Sequence, residues 1–292
     1  MAVYEHTYRA YDGALSPSWS RFLILARYAF GDIFRSRLFS GFFAVCFVCP
    51  VIMALIIYLH YNASALSILG VRDLDLVTID GGFFRVLMYI QLALALVMTV
   101  VIGPSLISRD LANNAVPLYL ARPFSRFEYV LGKMSPLVIL LSAITWIPGL
   151  LLFILQTALG GSAWWQVYGW IALAILIVGW TWILTLTLMA LAFSAWIKWR
   201  IGASAALFGM FIIPNALAFQ ISALFRIPWG HMINPWMLLQ TVMDGAFHQP
   251  NRLGLPEWMV LPEWAAWVGL AIIAAVSLLL LARKVRAYEV IS

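Results

Sequence analysis

Residues 167–197 read VYGWIALAILIVGWTWILTLTLMALAFSAWI, and nothing in this stretch is charged. About 20 apolar residues in a helix cross the roughly 30 Å of hydrocarbon in a bilayer. The run is therefore long enough to span a membrane, and to tilt or project beyond it. Five further runs share its character: Phe39–His60, Phe83–Ile107, Met134–Thr157, Ile201–Phe225 and Trp264–Ala282. The chain reads as an all-α polytopic membrane protein. Six transmembrane helices occupy 39–283, between an N-terminal arm (1–38) and a short tail (284–292).

Composition excludes the main alternatives. Of 292 residues, 64% are hydrophobic and only 10% charged, with a mean hydropathy of +0.95. An ordinary soluble domain is about 45–50% apolar and about 25% charged, so a soluble enzyme cannot account for the bulk of this chain. Disorder is excluded by the same numbers, because nearly every window has apolar surface to bury. The N-terminus shows no short apolar core followed by a cleavage site, so no removable signal peptide is expected. Cys46 and Cys49 share one helical face inside the first run. A redox pair needs a polar, accessible helix end to lower a thiol pKa; here the two read as small apolar fillers.

Charge position sets the orientation. The arm holds Arg9, Arg21, Arg27, Arg35 and Arg37, and the second connection holds Arg109, Arg122, Arg126 and Lys133. Lys198 and Arg200 lie in the fourth connection, with Arg283, Lys284 and Arg286 in the tail. Only Arg72, Arg85, Arg226 and Arg252 of the 18 basic residues fall on the other side, alongside Asp73, Asp75, Asp80, Asp244, Glu257 and Glu263. Basic residues stay cytoplasmic, so both termini are expected inside. The net charge of +6 is then topology, with no nucleic acid implied. Trp164, Trp165, Trp229, Trp236, Trp258 and Trp264 fall near outer boundaries, Trp196 and Trp199 at an inner one. Indole favours the headgroup level; a carbohydrate-stacking platform is the sharper alternative for the outer group.

Three segments are not plain spans. In residues 18–35, at about 100° per residue, Phe22, Leu25, Ala26, Ala29, Phe30 and Ile33 share a face. Arg21, Arg27, Asp32 and Arg35 take the other, and Ile24 breaks the pattern. This is the signature of a helix lying in the membrane surface, with docking on a soluble partner as the alternative. The outer connection 226–263 carries five prolines yet stays apolar through Trp236–Val242 and Trp258–Leu261. It reads as a re-entrant helical pair that dips into the bilayer without crossing. The cytoplasmic connection 108–133 begins with Arg109, Asp110, Asn113 and Asn114 and passes to the apolar Leu118-Tyr119-Leu120. Pro123 breaks it, and Ser125-x-x-Glu128 has capping-box spacing for the next helix. A compact knob and an ordinary helix-hairpin loop both fit.

Several chemistries have no motif. Gly132-Lys133 runs into Met134 without an upstream glycine, so no P-loop exists. His6, His60, His231 and His248 are scattered, which argues for no metal site. No GxSxG occurs, and no catalytic residues are expected. With Arg85 assigned to an outer rim, the apolar cores carry no ionisable group for ion coupling. Gln91, Gln156, Asn215, Gln220, Thr99, Thr181 and Thr185 are the polar groups inside, each able to serve as interhelical glue.

Ile107-Ser-Arg-Asp110, Leu118-Tyr-Leu-Ala-Arg-Pro-Phe-Ser-Arg126 and Tyr129-Val-Leu-Gly-Lys133, set within six helices, resemble the ABC type-2 permeases. These are the membrane subunits of ATP-binding-cassette exporters. The family usually has Glu where this chain has Asp110, and a Gly-Thr pair near Asn114-Ala115. The resemblance implies a bacterial cytoplasmic (inner) membrane permease that dimerises with a second copy or a paralogue and docks separate ABC ATPase subunits. Those subunits would hold ATP and Mg; this chain would hold no cofactor. The coupling residues would be Arg109, Asp110, Asn113, Leu118, Tyr119, Arg122, Pro123, Ser125, Arg126 and Glu128. Spans two and five would line the pathway and give Gln91, Asn215 and Gln220 a substrate-facing role. A non-transporting scaffold or assembly subunit of a larger membrane complex fits the composition equally well. The uncharged spans suggest an amphipathic or lipid-like passenger.

Overall fold

A computed structural model of the chain describes residues 21–62, 78–113, 126–249 and 254–284, and among these every regular element is helical. α1 is Arg21–Phe34, α2 Arg37–Val45, α3 Val48–Tyr61, α4 Gly81–Ala112 and α5 Arg126–Ile144. α6 is Trp146–Tyr168, α7 Trp170–Trp196 and α8 Arg200–Phe225. A 3-10 turn at Pro228–Ile233, α9 at Pro235–Ala246, a second 3-10 turn at Glu257–Met259 and α10 at Glu263–Lys284 complete the order. Six helical stretches are long and apolar enough to cross a membrane: Arg37–Tyr61, Gly81–Ser108, Phe127–Tyr168, Trp170–Trp196, Arg200–Phe225 and Glu257–Lys284. The chain is thus built as an integral membrane protein.

Local chemistry starts and breaks these helices. The Ser36 side chain accepts from the Phe39 N–H to open α2, and the Asp80 carboxylate accepts from the Phe83 N–H at the start of α4. Asn234 caps α9 by accepting from the Trp236 N–H, with Pro235 at the first helical position, where its missing N–H costs nothing. The first span is two helices rather than one, broken at Cys46–Phe47. Gln91 Nε2 donates to the Cys46 carbonyl at 3.0 Å and satisfies a group that the break leaves without its helical partner. The third span is longer than Met134–Thr157 and bends at Thr145. Its outer half is held by Gln156 Nε2 donating to Tyr61 Oη and, in the added turns, by Trp164 Nε1 donating to the Ile79 carbonyl. The fourth begins at Trp170, so Val167 and Tyr168 belong to the preceding helix.

α7 is the axis of the bundle. It packs most extensively on α4, and also on α10, α5, α6, α9 and α8. Trp182, fully buried, donates its indole N–H to the Leu92 carbonyl and locks α7 to α4. The two backbones come close at Gly103, where a Cβ would stand 2.5 Å from that of Ala190. α3 and α8 lie at the periphery. Val51, Ile52 and Leu55 on α3, and Ile212, Ile213, Leu217 and Phe219 on α8, are exposed, which suits a lipid solvent.

α1 does not stand apart from this bundle. It packs along α5, with Ala26 buried and Phe30 and Ile33 against the core, while Arg27, Tyr28, Asp32 and Arg35 face outward. The expected apolar face is real for the residues whose side chains are described. Its partner is a helix of the same chain.

Candidate functional site at the base of residues 108–133

α4 carries Pro104 about two turns before it ends at Ala112. Proline has no N–H, so the carbonyl of Val100 loses its helical donor. Ser204, on α8, supplies one: its Oγ donates to the Val100 carbonyl at 3.0 Å. One turn further, the N–H groups of Ile107 and Ser108 both donate to Oγ of Ser194, on α7, at 3.0 and 2.8 Å. That hydroxyl in turn donates to the Pro104 carbonyl at 2.8 Å, which also accepts from the Ser108 hydroxyl. A side chain from a neighbouring helix has entered the backbone ladder, one of the recognised causes of a helix bend. Two serines on two different helices therefore bond the α4 backbone on either side of Pro104.

Past this inset, α4 presents Asp110. Its carboxylate pairs with Lys133 Nζ at 2.7 Å and accepts from the Tyr129 hydroxyl at 2.8 Å. The Tyr129 ring is fully buried, and Lys133 lies 5.8 Å from its centroid. Asp110 and Lys133 are each 13% exposed, so the pair is shielded from much of the screening that weakens surface ion pairs. The cluster joins the end of α4 to the start of α5 and fixes the distance between the two arms of the connection.

The other residues expected at this site divide as follows. Asn113 is exposed and Glu128 half-buried. Leu118, Tyr119, Arg122, Pro123 and Ser125, and the side chains of Arg109 and Arg126, lie outside the described residues. The described part of α5 opens at Arg126, and the Ser125 cap that the Ser125-x-x-Glu128 spacing expects lies outside the described residues.

The pathway residues are not gathered into one site. Gln91 is fully buried and engaged at the α2–α3 break. Asn215 and Gln220 are exposed on α8, and Asn215 Oδ1 accepts from Asn234 Nδ2 at 2.8 Å, tying the outer 3-10 turn to that helix.

Arg85 departs from expectation. It lies near the outer rim in sequence, but it is 5% exposed inside α4. Its Nε donates to Asp244 Oδ1 at 2.7 Å, its Nη2 also reaches that oxygen, and Gln240 Oε1 accepts from the same nitrogen at 3.3 Å. The bundle end therefore contains a buried ion pair that ties α4 to α9. The apolar α9 pattern could have flagged Asp244 as an anomaly, but the 159-residue separation hides its partner. Ser194 and Ser204 had a weaker signal still: Pro104 announces an orphaned carbonyl without saying which helix repairs it.

Among the described residues, no group of three or more His, Cys, Asp or Glu side chains is placed to hold a metal. No protein-family model matches this chain, and no curated protein matches it in sequence.

Proposed function

We propose that the chain is the permease subunit of an ATP-binding-cassette exporter, working as a dimer and driven by separate ATPase subunits seated on residues 108–133. The observation that carries this reading is the Asp110–Tyr129–Lys133 cluster. A docking segment must pass displacement into the spans, and a loop with loose arms would absorb it. Here a shielded ion pair and a buried tyrosine join the arms, so a push on the segment reaches α4 and α5 together. The same three residues carry part of the sequence resemblance. In this arrangement ATP and Mg belong to the partner, and this chain contributes the pathway.

The accompanying topology places both termini in the cytoplasm of a bacterial cell, with the chain in its cytoplasmic membrane, as the basic residues favour. The outer helices between α8 and α10 dip into the bilayer without crossing it. At 12 residues α9 is about 18 Å long, short of the roughly 30 Å core, and Leu238, Leu239, Val242 and Met243 are sheltered against its neighbours.

The test is purification of the native complex. A companion protein carrying a P-loop is expected. Tyr119→Ala is expected to weaken its recruitment by about 2 kcal/mol, and Asp110→Asn to lower permease-stimulated hydrolysis while membrane insertion is kept. A native complex without any P-loop protein overturns the transport reading and leaves a membrane scaffold or assembly subunit in its place.

A further inference from the structure

At the end of the bundle away from residues 108–133, α9, the second 3-10 turn and the start of α10 enclose an open pocket of about 420 Å³. That is within the usual size range for small-molecule sites. Its polar lining includes Gln240, Asp244 and Glu263; Met237, Val260 and Leu261 supply an apolar wall.

Three observations define what the pocket would recognise. The first is charge. Arg85 compensates Asp244, whereas among the described residues no cation pairs with Glu263, whose carboxylate receives only the Trp267 indole N–H at 3.4 Å. The Glu263 carboxylate lies directly on Gly245, where any Cβ would collide with it, so the site has a built seat for this negative charge. The second is an unused donor. Gln240 is 2% exposed, and its Oε1 is committed to Arg85, which can only donate. That fixes the amide orientation and leaves Nε2 buried without a protein acceptor, on a residue that lines the pocket. The third is position. Trp264, next to Glu263 in the chain, packs 6.0 Å from Trp229, and the Trp267 indole N–H donates to Glu263 itself. Clustered indoles of this kind sit at the headgroup level of a bilayer.

We propose that this pocket binds an ethanolamine-type head, an ammonium with an oxygen acceptor a short distance away, carried by an amphiphile. Glu263 takes the ammonium, Gln240 Nε2 donates to the oxygen, and the apolar wall receives the beginning of the chain. The spacing suits such a head: Gln240 is one helical turn from Asp244, about 5–6 Å, and Glu263 rests on the neighbouring Gly245. An aminophospholipid of the surrounding membrane and a soluble amino alcohol share this chemistry. The assignment is independent of the transport reading and would hold for a scaffold protein equally.

The experiment titrates the purified full chain in detergent with lysophosphatidylethanolamine, lysophosphatidylglycerol and ethanolamine, read by tryptophan fluorescence. Lysophosphatidylethanolamine is expected to saturate the signal, with lysophosphatidylglycerol, which lacks the ammonium, about tenfold weaker or more. Glu263→Gln should weaken the ethanolamine lipid by about tenfold and leave the glycerol lipid unchanged. Gly245→Ala, which displaces the carboxylate, should act in the same direction. Ethanolamine binding as tightly as its lysolipid identifies a soluble amine as the occupant; a large advantage for the lysolipid identifies a membrane lipid. Equal binding of the two lysolipids by the parent chain, a comparison that needs no variant, overturns the proposal. So does an unchanged affinity in a folded Glu263→Gln protein.

Discussion

His231, in the outer 3-10 turn, is 3% exposed, and neither ring nitrogen has a protein partner. Burial pushes its pKa below the ordinary 6.5, because desolvation disfavours the cation. The unfolded chain therefore takes up a proton more readily than the folded one, and stability falls as the pH drops below the ordinary histidine range. Thermal unfolding in detergent between about pH 5 and about pH 8 is expected to show this acid-side decline, and His231→Leu to abolish it. At neutral pH the same variant should be neutral or stabilising, since it removes polar atoms that have no partner. Asp110 behaves in the opposite way, because its partners are in place. Asp110→Ala takes this acceptor from Lys133 and the Tyr129 hydroxyl and is expected to cost about 2 kcal/mol. Combining it with Lys133→Met should recover part of that loss, as a double-mutant cycle on thermal unfolding would read.

Among the elements, α4 carries the most consequence, since it runs from the Arg85 end to Asp110 and changes its bonding on the way. Ser194→Ala removes an acceptor shared by two buried N–H groups and a donor to Pro104, with an expected loss of about 2 kcal/mol. Hydrogen exchange should then quicken at residues 105–108, with Trp182-anchored residues near Leu92 unaffected. Ser204→Ala affects one carbonyl in a half-buried place and is expected to cost about 1 kcal/mol. Equal exchange in the parent and in Ser194→Ala would mean that the backbone around Pro104 holds without the Ser194 hydroxyl. The α4–α9 tie is also testable. Arg85→Met should destabilise by about 3 kcal/mol, because Asp244 keeps its charge in a buried setting after losing this partner.

For the whole molecule, the distribution of basic residues predicts that single cysteines replacing Arg122 and Ser292 resist a membrane-impermeant reagent in intact cells, while one replacing Asp75 is labelled. Labelling of all three would contradict the six-span arrangement. The sequence by itself determined the class of the protein, the number of spans and the apolar face of α1. Each of these is written locally, in an uninterrupted apolar run or a helical period. It also singled out Asp110, Tyr129 and Lys133 as belonging to one segment. Only the tertiary structure decided that these three meet in one cluster, that Ser194 and Ser204 repair α4, and that α1 lies on α5. It likewise decided that Arg85 is buried against Asp244 rather than placed at a wet rim. The physical reason is common to all four cases. A hydrogen bond or ion pair between helices depends on their rotation and offset, and in a chain apolar on nearly every face the local pattern does not set them. Shape does so instead: Gly103 against Ala190 and Trp182 against Leu92 fix how α4 and α7 face each other, and the polar partners follow.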